Sequence, residues 1–330
     1  MAWLRLDPWQ ADYDTAWRTD SEATVPPDID LGVELPVHDW RPLSAERCED
    51  MGELLFVDGS RRMEARVHLE DQEGWRAHGG LGTTAVGAVR VRPGTRAEFV
   101  PDLRVARWCL VGAGREHPAI SLAASDGWLA DLRYEPVAVA GSDPESIMQG
   151  LQDTMRHQEQ LLAARLVEDH PGALIVCDGP LPQDGPLEQM IGYIKTSSVQ
   201  RLPDEQLQLA RQLKAGERTP IHLVGQGRYR HYEWVLRLRD PSPWYYSLAG
   251  TVRLQVAVPD GENGLTERVA RLADWSCVML PGFSSQAHQD PRAPQQLLPV
   301  RALEAELKRR MGNSQILRRR IVREYVAATG

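Results

Sequence analysis

The sequence is poor in lysine, phenylalanine and cysteine, and it has no long apolar run. Lysine stands only at positions 195, 214 and 308, phenylalanine occurs three times and cysteine four times in 330 residues. The cysteines are far apart and form no C-x-x-C pair, which argues against a zinc or redox motif and against a disulfide framework. No segment approaches the roughly 20 apolar residues of a membrane helix, so we expect a cytoplasmic protein with no membrane partner.

Several catalytic and nucleotide-binding motifs are also missing. The chain has no P-loop, no G-x-G-x-x-G motif after a strand and no G-x-S-x-G elbow, which disfavours nucleotide-driven and serine-hydrolase functions. The formal net charge is -8, and this charge argues against a protein that coats nucleic acid nonspecifically. A local basic surface can still bind phosphates on an acidic protein.

The pattern of apolar residues predicts one α/β domain with an N-terminal arm. Residues 1–50 mix acids, prolines and tryptophans without sustained periodicity, which indicates an extended arm. Strand and helix patterns follow from residue 51 to residue 330, and they predict a mixed β-sheet flanked by helices. Two helical segments, 300–311 and 314–327, close the chain at the periphery of this domain.

Three local patterns matter most for function. The apolar run from Glu53 to Val57, followed by Asp58-Gly-Ser and an alternating stretch, predicts a hairpin that turns at Asp58. A helix is predicted to start at the N-cap Ser142 and to end near Val167. The continuous apolar run 173–177 then predicts a strand that is buried on both faces and ends at Asp178.

Three carboxylates in these elements form a candidate metal site. Asp58 and Asp178 follow apolar strands, and Glu159 lies on the same helix face as the apolar stripe Met148, Leu151, Met155, Leu162 and Leu166. A buried carboxylate is costly unless a cation or several donors compensate it. Carboxylate oxygens suit Mg²⁺ or Mn²⁺, which promote phosphodiester hydrolysis.

Each carboxylate also has a purely structural interpretation. Asp-Gly between apolar runs is a strong hairpin signal, so Asp58 fits an ordinary turn residue as well as a ligand. Asp178 precedes Gly-Pro and has the same two interpretations. Glu159 fits a salt bridge with an arginine at the edge of the core. The metal hypothesis therefore depends on all three residues together.

Further residues are candidates for substrate binding or proton transfer. Lys195 ends the apolar run 190–194 and could bind the scissile phosphate, or could extend to the surface. Arg61 and Arg62, with Arg309 and Arg310 of the basic C-terminal segments, are candidate DNA contacts or solvated surface residues. His288 lies in the connector before those segments and is a candidate ligand or proton carrier.

Six motifs are spread over nearly the whole chain. They are Leu6-Asp-Pro-Trp, Phe56-Val-Asp-Gly-Ser-Arg-Arg, Cys177-Asp-Gly-Pro, Ile191-Gly-Tyr-Ile-Lys-Thr, Asp290-Pro-Arg-Ala-Pro-Gln and Leu298-Pro-Val-Arg-Ala-Leu-Glu. Together they resemble the bacterial branch of the NurA nucleases. The resemblance implies an RNase H-like core in which Asp58, Glu159 and Asp178 bind Mn²⁺ (or Mg²⁺).

The resemblance also implies a cellular role. It implies a homodimer, associated with the nucleoid, that works with a HerA-type hexameric ATPase in DNA end resection and double-strand break repair. The implied activities on single- and double-stranded DNA are single-strand endonuclease and 5'-3' exonuclease. The N-terminal arm, with Leu6-Asp-Pro-Trp, is the candidate contact with the translocase.

One active-site position departs from the family pattern. Archaeal relatives carry an Ala-His pair on a C-terminal helix, whereas Ala302-Leu-Glu-Ala-Glu-Leu has no histidine. His288, Glu304 and Glu306 are the candidates for this fourth position, and we expect His288 to fill it.

Two functions from other classes remain open on the sequence alone. One is a non-catalytic DNA-clamping or adaptor subunit, in which the acidic residues are structural. The other is an actin-like ATPase, because that fold also begins with an apolar strand and an Asp-Gly turn that can hold phosphate.

Overall fold

The computed structural model shows a mixed α/β protein with a large mixed β-sheet flanked by helices. It describes residues 28–48, 52–70, 76–122, 131–181, 187–195, 202–225, 230–258 and 264–329. None of the helices in these ranges is long and apolar enough to cross a membrane. The Leu6-Asp-Pro-Trp motif lies outside the described residues.

Fourteen strands and five α-helices follow one another in the described residues. The strands are β1 Ile29–Asp30, β2 Leu43–Ser44, β3 Leu54–Glu70, β4 Arg76–Val91, β5 Glu98–Phe99, β6 Arg104–Val111, β7 Ile120–Leu122, β8 Leu132–Ala138, β9 Leu174–Asp178, β10 Met190–Ile194, β11 Glu217–Arg218, β12 His222–Val224, β13 His231–Arg237 and β14 Thr251–Ala257. The helices are α1 Pro144–Asp169, α2 Asp204–Gln212, α3 Glu267–Phe283, α4 Leu298–Arg310 and α5 Ser314–Thr329.

The residue contacts divide the chain into two units. Among the described residues, the first unit contains those up to Phe56, those of Arg90–Ala97 and those of Leu166–Arg301, and the second contains those of Val57–Val89, those of Glu98–Arg165 and those from Ala302 onward. Strand β3 contributes residues to both units.

The first unit has the strand order β1-β12-β13-β14-β10-β9-β3. Strands β9 and β10 are parallel, whereas β10, β14, β13, β12 and β1 are successively antiparallel. Helix α3 packs on this sheet, and its Trp275 joins Trp234 and Leu254 in an apolar core. The described part of the N-terminal segment belongs to this sheet, because β1 pairs with β12 and β2 with β11.

The second unit has the strand order β3-β4-β6-β8-β7 with a helix on each face. Helix α1 lies so close to β4 that a Cβ on Gly82 would lie 2.8 Å from a Leu151 methyl carbon. Leu81 points to the opposite face, because side chains alternate along a strand, and it packs with Leu317 and Ile321 of α5. The buried stripe on α1 is confirmed for Leu151, Met155, Leu162 and Leu166.

Two local predictions are wrong. Asp58-Gly-Ser does not form a hairpin turn, because β3 runs without a break from Leu54 to Glu70. The N-cap of α1 is Asp143 rather than Ser142, since Asp143 Oδ1 accepts hydrogen bonds from the backbone N–H groups of Glu145 and Ser146 at 3.0 and 2.9 Å. A carboxylate at this position satisfies two N–H groups that have no partner within the helix.

Candidate metal centre

Asp58 lies inside strand β3 and is buried. Leu54 to Val57 are almost completely buried before it, and Asp58 itself is 6% exposed. The ordinary-turn interpretation of Asp58 is therefore wrong. The premise of the actin-like ATPase is lost as well, because the Asp-Gly pair that would form the phosphate-binding turn continues a strand.

Asp178 is the last residue of β9, and a buried ammonium group holds it. Lys195 follows the neighbouring strand β10, and its Nζ donates hydrogen bonds to Asp178 Oδ2 and to Gln296 Oε1. The side chains of Lys195 and Asp178 are only 10% and 12% exposed. Lys195 therefore does not extend to the surface, and its charge compensates one carboxylate.

Glu304 stands on the buried face of helix α4. Val300, Leu303 and Leu307 are buried on this helix, and Glu304 falls on the same face at helical spacing. Its side chain is 14% exposed, and Lys308 Nζ lies 3.7 Å from Glu304 Oε2 one turn later. The ion pair is weak because Lys308 is largely exposed.

Asp58, Asp178 and Glu304 form a group of three carboxylates. Each offers one oxygen, and these oxygens lie within 4.8 Å of one another. No other set of three or more potential ligands in the described part of the chain meets this condition. We call Asp58, Asp178 and Glu304 the carboxylate group.

Mutual repulsion among three ionised carboxylates would favour a bound cation. Two like charges within 4.8 Å of one another repel by about 3 kcal/mol or more at an effective dielectric constant of about 20. Lys195 and Lys308 compensate part of the charge. A hard divalent cation with oxygen ligands would compensate the rest, and three carboxylates fit the donor set that Mg²⁺ and Mn²⁺ prefer.

Glu159 is not part of the carboxylate group, although the sequence predicted it as a ligand. Its Oε1 would lie 2.6 Å from a Cβ placed on Gly59, so Glu159 lies on the face of β3 to which Gly59 is turned. Asp58 points to the other face, because successive residues of a strand alternate. The third carboxylate beside Asp58 is Glu304.

The sequence offers both Glu304 and His288 for the fourth active-site position, and the expected residue is His288. The structure shows His288 exposed in the segment before α4 and outside the carboxylate group. Glu306 points to other partners, and its carboxylate binds Arg309 and Arg310 at 2.6 and 2.8 Å. Glu304 carries the same sequence signal as Glu159, namely a carboxylate on the apolar face of a helix.

The predicted DNA-binding arginines have different environments. The Nε of Arg61 donates a hydrogen bond to Gln152 Oε1. Arg62 binds the Met311 and Gly312 carbonyl oxygens beyond α4 and the buried carboxylate of Glu64. Arg309 and Arg310 are exposed on α4, and their hydrogen bonds lower the pKa of Glu306 to about 2. Of the four, Arg309 and Arg310 are the more accessible to a phosphate.

Comparison with known proteins does not assign the chain to a family. No protein-family model matches the chain, and no curated protein matches it.

Proposed function

We propose that this chain is a divalent-metal-dependent DNA nuclease with the carboxylate group as its active centre. The observation that carries the proposal is the approach of three carboxylate oxygens within 4.8 Å of one another. Mn²⁺ or Mg²⁺ would supply an activated water and stabilise the charge on a scissile phosphodiester. Hard oxygen ligands and a buried lysine are typical of phosphoryl-transfer sites.

The residues around the centre have separate roles in this proposal. Asp58, Asp178 and Glu304 hold the metal. Lys195 orients Asp178 through its hydrogen bond, and its ammonium group is available to bind a phosphate oxygen. Gln296 accepts a second hydrogen bond from Lys195 and fixes the position of that charge. Arg309 and Arg310 are proposed to bind the DNA backbone at a distance from the chemistry.

The resemblance to NurA nucleases supports the finer parts of the proposal. We infer an RNase H-like sheet, a homodimer and a HerA-type hexameric ATPase as partner in DNA end resection. The proposed contact with that partner includes the N-terminal arm. Deletion of residues 1–27 should weaken binding to the translocase, and unchanged binding would refute this contact.

The nuclease is tested with labelled single-stranded DNA in Mn²⁺. Wild-type protein should cleave it, and Asp58→Asn, Asp178→Asn or Glu304→Gln should each reduce the rate on the order of 10³-fold, since a lost ligand costs several kcal/mol of charge stabilisation. Glu306→Gln is the matched control on the same helix and should retain activity. Full activity of Asp58→Asn would overturn the proposal.

Glu159→Gln distinguishes the two ligand sets. If Glu159→Gln abolishes cleavage while Glu304→Gln does not, the metal is held by Asp58, Glu159 and Asp178, as the resemblance implies. If wild-type protein binds DNA but cleaves none with any divalent metal, the adaptor function replaces the nuclease.

A further inference from the structure

Trp244 is the most exposed of the large hydrophobic side chains that the structure describes. It is 60% exposed, in the loop 238–250 that joins β13 to β14. Tyr245 lies beside it, with the two ring centroids 6.1 Å apart in an edge-to-face arrangement. Single exposed apolar residues are common on protein surfaces, so the position of Trp244 decides its significance.

The strand register places loop 238–250 at the sheet edge where β9 and β10 end. Asp178 is opposite Tyr193 in the parallel pair β9 and β10, so both strands end at the same edge. Strand β14 is antiparallel to β10, with Arg253 opposite Ile194, and begins at that edge. Arg237, the last residue of β13, is opposite Thr251. The loop therefore leaves and re-enters the sheet on the side of Asp178 and Lys195.

A short segment connects this loop to Lys195. A Cβ placed on Gly250 would lie 3.3 Å from Pro294 Cγ, so the end of the loop packs against Pro294. Two residues later, Gln296 accepts the hydrogen bond from Lys195. The base of the Trp244 loop and the lysine of the proposed active site thus pack on the same short segment.

The base of the loop is fixed by a buried arginine. Arg237 is 0% exposed, and its guanidinium donates hydrogen bonds to the carbonyl oxygens of Leu213, Ser247 and Ala249. Leu248 packs in an apolar cluster with Val235 and the residues of α2. The loop therefore presents Trp244 to solvent from an anchored base, which limits the entropy lost when a ligand binds.

We propose that Trp244 stacks on a nucleobase of single-stranded DNA bound at this edge of the sheet. The proposal rests on the proposed nuclease function, and it assigns Trp244 as the residue that contacts an unpaired base. An exposed indole offers a flat π surface to any base. Duplex DNA offers no such contact along its length, because its base faces are stacked on one another.

The test measures DNA binding without cleavage. Fluorescence anisotropy of a labelled dT20 oligonucleotide is recorded in EDTA for wild-type protein, Trp244→Ala and Trp244→Phe. The alanine variant should bind about tenfold more weakly, the order expected for one lost base stack, and the phenylalanine variant should retain most of the affinity. Phe99→Ala, which removes an aromatic side chain that is 44% exposed in the second unit, is the matched control and should bind normally.

A fully abasic oligonucleotide of the same length isolates the base contact. Trp244→Ala and wild-type protein should bind it equally, because the backbone contacts remain and the base is missing. Equal affinity of both proteins for dT20 would overturn the proposal. A Trp244→Ala variant that changes only the oligomeric state in light scattering would overturn it too, since the tryptophan then lies between copies of the chain.

The binding and cleavage experiments separate the two proposals. Loss of dT20 affinity in Trp244→Ala without any cleavage by wild-type protein would reject the nuclease and keep the stacking site. Cleavage by wild-type protein together with unaltered dT20 affinity in Trp244→Ala would keep the nuclease and reject the stacking site. In an active enzyme, the alanine variant should raise KM and leave kcat nearly unchanged, because the base contact is present in both ground and transition states.

Discussion

Two acidic regions of this protein have different surroundings. In the first unit, Glu233 is 1% exposed and is surrounded by Arg253, Gln255, His222 and His231 at 3.1 to 3.7 Å. In the carboxylate group, each carboxylate faces two others within 4.8 Å. We call the first region the Glu233 network. A buried acid among donors serves folding, whereas three acids that face one another could hold a cation between them.

The same distinction applies to Glu64 in the second unit. Its two carboxylate oxygens accept hydrogen bonds from the hydroxyls of Thr83 and Tyr134 at 2.6 and 2.5 Å, and Arg62 lies at 3.2 Å. Tyr134 is buried, and burial together with Glu64 holds the pKa of its phenol far above the usual value. Glu64 is thus a structural acid, although it lies on the same strand as Asp58.

The largest expected effect on stability comes from neutralising Glu233. Glu233→Gln leaves Arg253 buried without its compensating charge, and loss of one partner of a buried ion pair costs about 3–5 kcal/mol. The free energy of unfolding, measured in guanidinium chloride without metal, should fall by this amount. Glu306→Gln, which removes a carboxylate paired with the exposed Arg309 and Arg310, should lower the free energy of unfolding much less. An equal loss in both variants would contradict this prediction.

Metal should stabilise the folded protein only by binding to the carboxylate group. A ligand present at a hundredfold excess over Kd stabilises the folded state by about 2.7 kcal/mol. We therefore expect Mn²⁺ to raise the Tm of wild-type protein and of Glu64→Gln, but not that of Asp178→Asn. A shift of the same size in Asp178→Asn would show that Mn²⁺ binds elsewhere.

Without metal, the carboxylate group should be a source of instability. Asp58→Asn removes one of three like charges, and part of the repulsion is already offset by Lys195. The metal-free variant should gain about 1 kcal/mol in the free energy of unfolding. This gain should disappear in Mn²⁺, which stabilises wild-type protein more. If Asp58→Asn is instead less stable in EDTA, Asp58 resembles Glu233 and contributes to folding.

Lowering the pH should remove the stability that the ionised Glu233 carboxylate provides. Burial raises the pKa of this carboxyl, but Arg253 and the nearby imidazoles of His222 and His231 outweigh burial and hold the pKa well below its usual range. A depressed pKa adds stability that is complete above the unfolded value of about 4.3 and is lost as the pH falls through the folded value. The difference in stability between wild-type protein and Glu233→Gln should therefore shrink as the pH falls from 5 to 3. A constant difference down to pH 3 would contradict this assignment.

Most elements that surround the centre were predictable because their local patterns agree with their burial. The apolar run before Asp178 is strand β9, and the helix that was predicted to end near Val167 ends at Asp169. The alternating stretch from Met63 is also extended. The error at Asp58 has a physical cause, because Asp-Gly favours a turn locally but pairing in the sheet overrides that preference.

The composition of the centre was only partly predictable. Asp58 and Asp178 were identified because each follows an apolar run. Glu159 and Glu304 satisfy the same rule of an acid on an apolar helix face, and the sequence does not reveal which side of β3 each helix covers. That information is a property of the packing. His288 was preferred for its chemistry, yet its loop leaves it exposed.

The unbroken course of β3 constrains how this gene can change. An aspartate in a turn tolerates inserted or deleted neighbours, because a loop can absorb them. Within a strand, a shift of one residue moves every side chain to the other face. A single deletion between Leu54 and Val57 that kept the remaining register would turn Asp58 toward Glu159 and away from Glu304. Related chains with the same centre should therefore conserve the length of this strand segment as strictly as the aspartate itself.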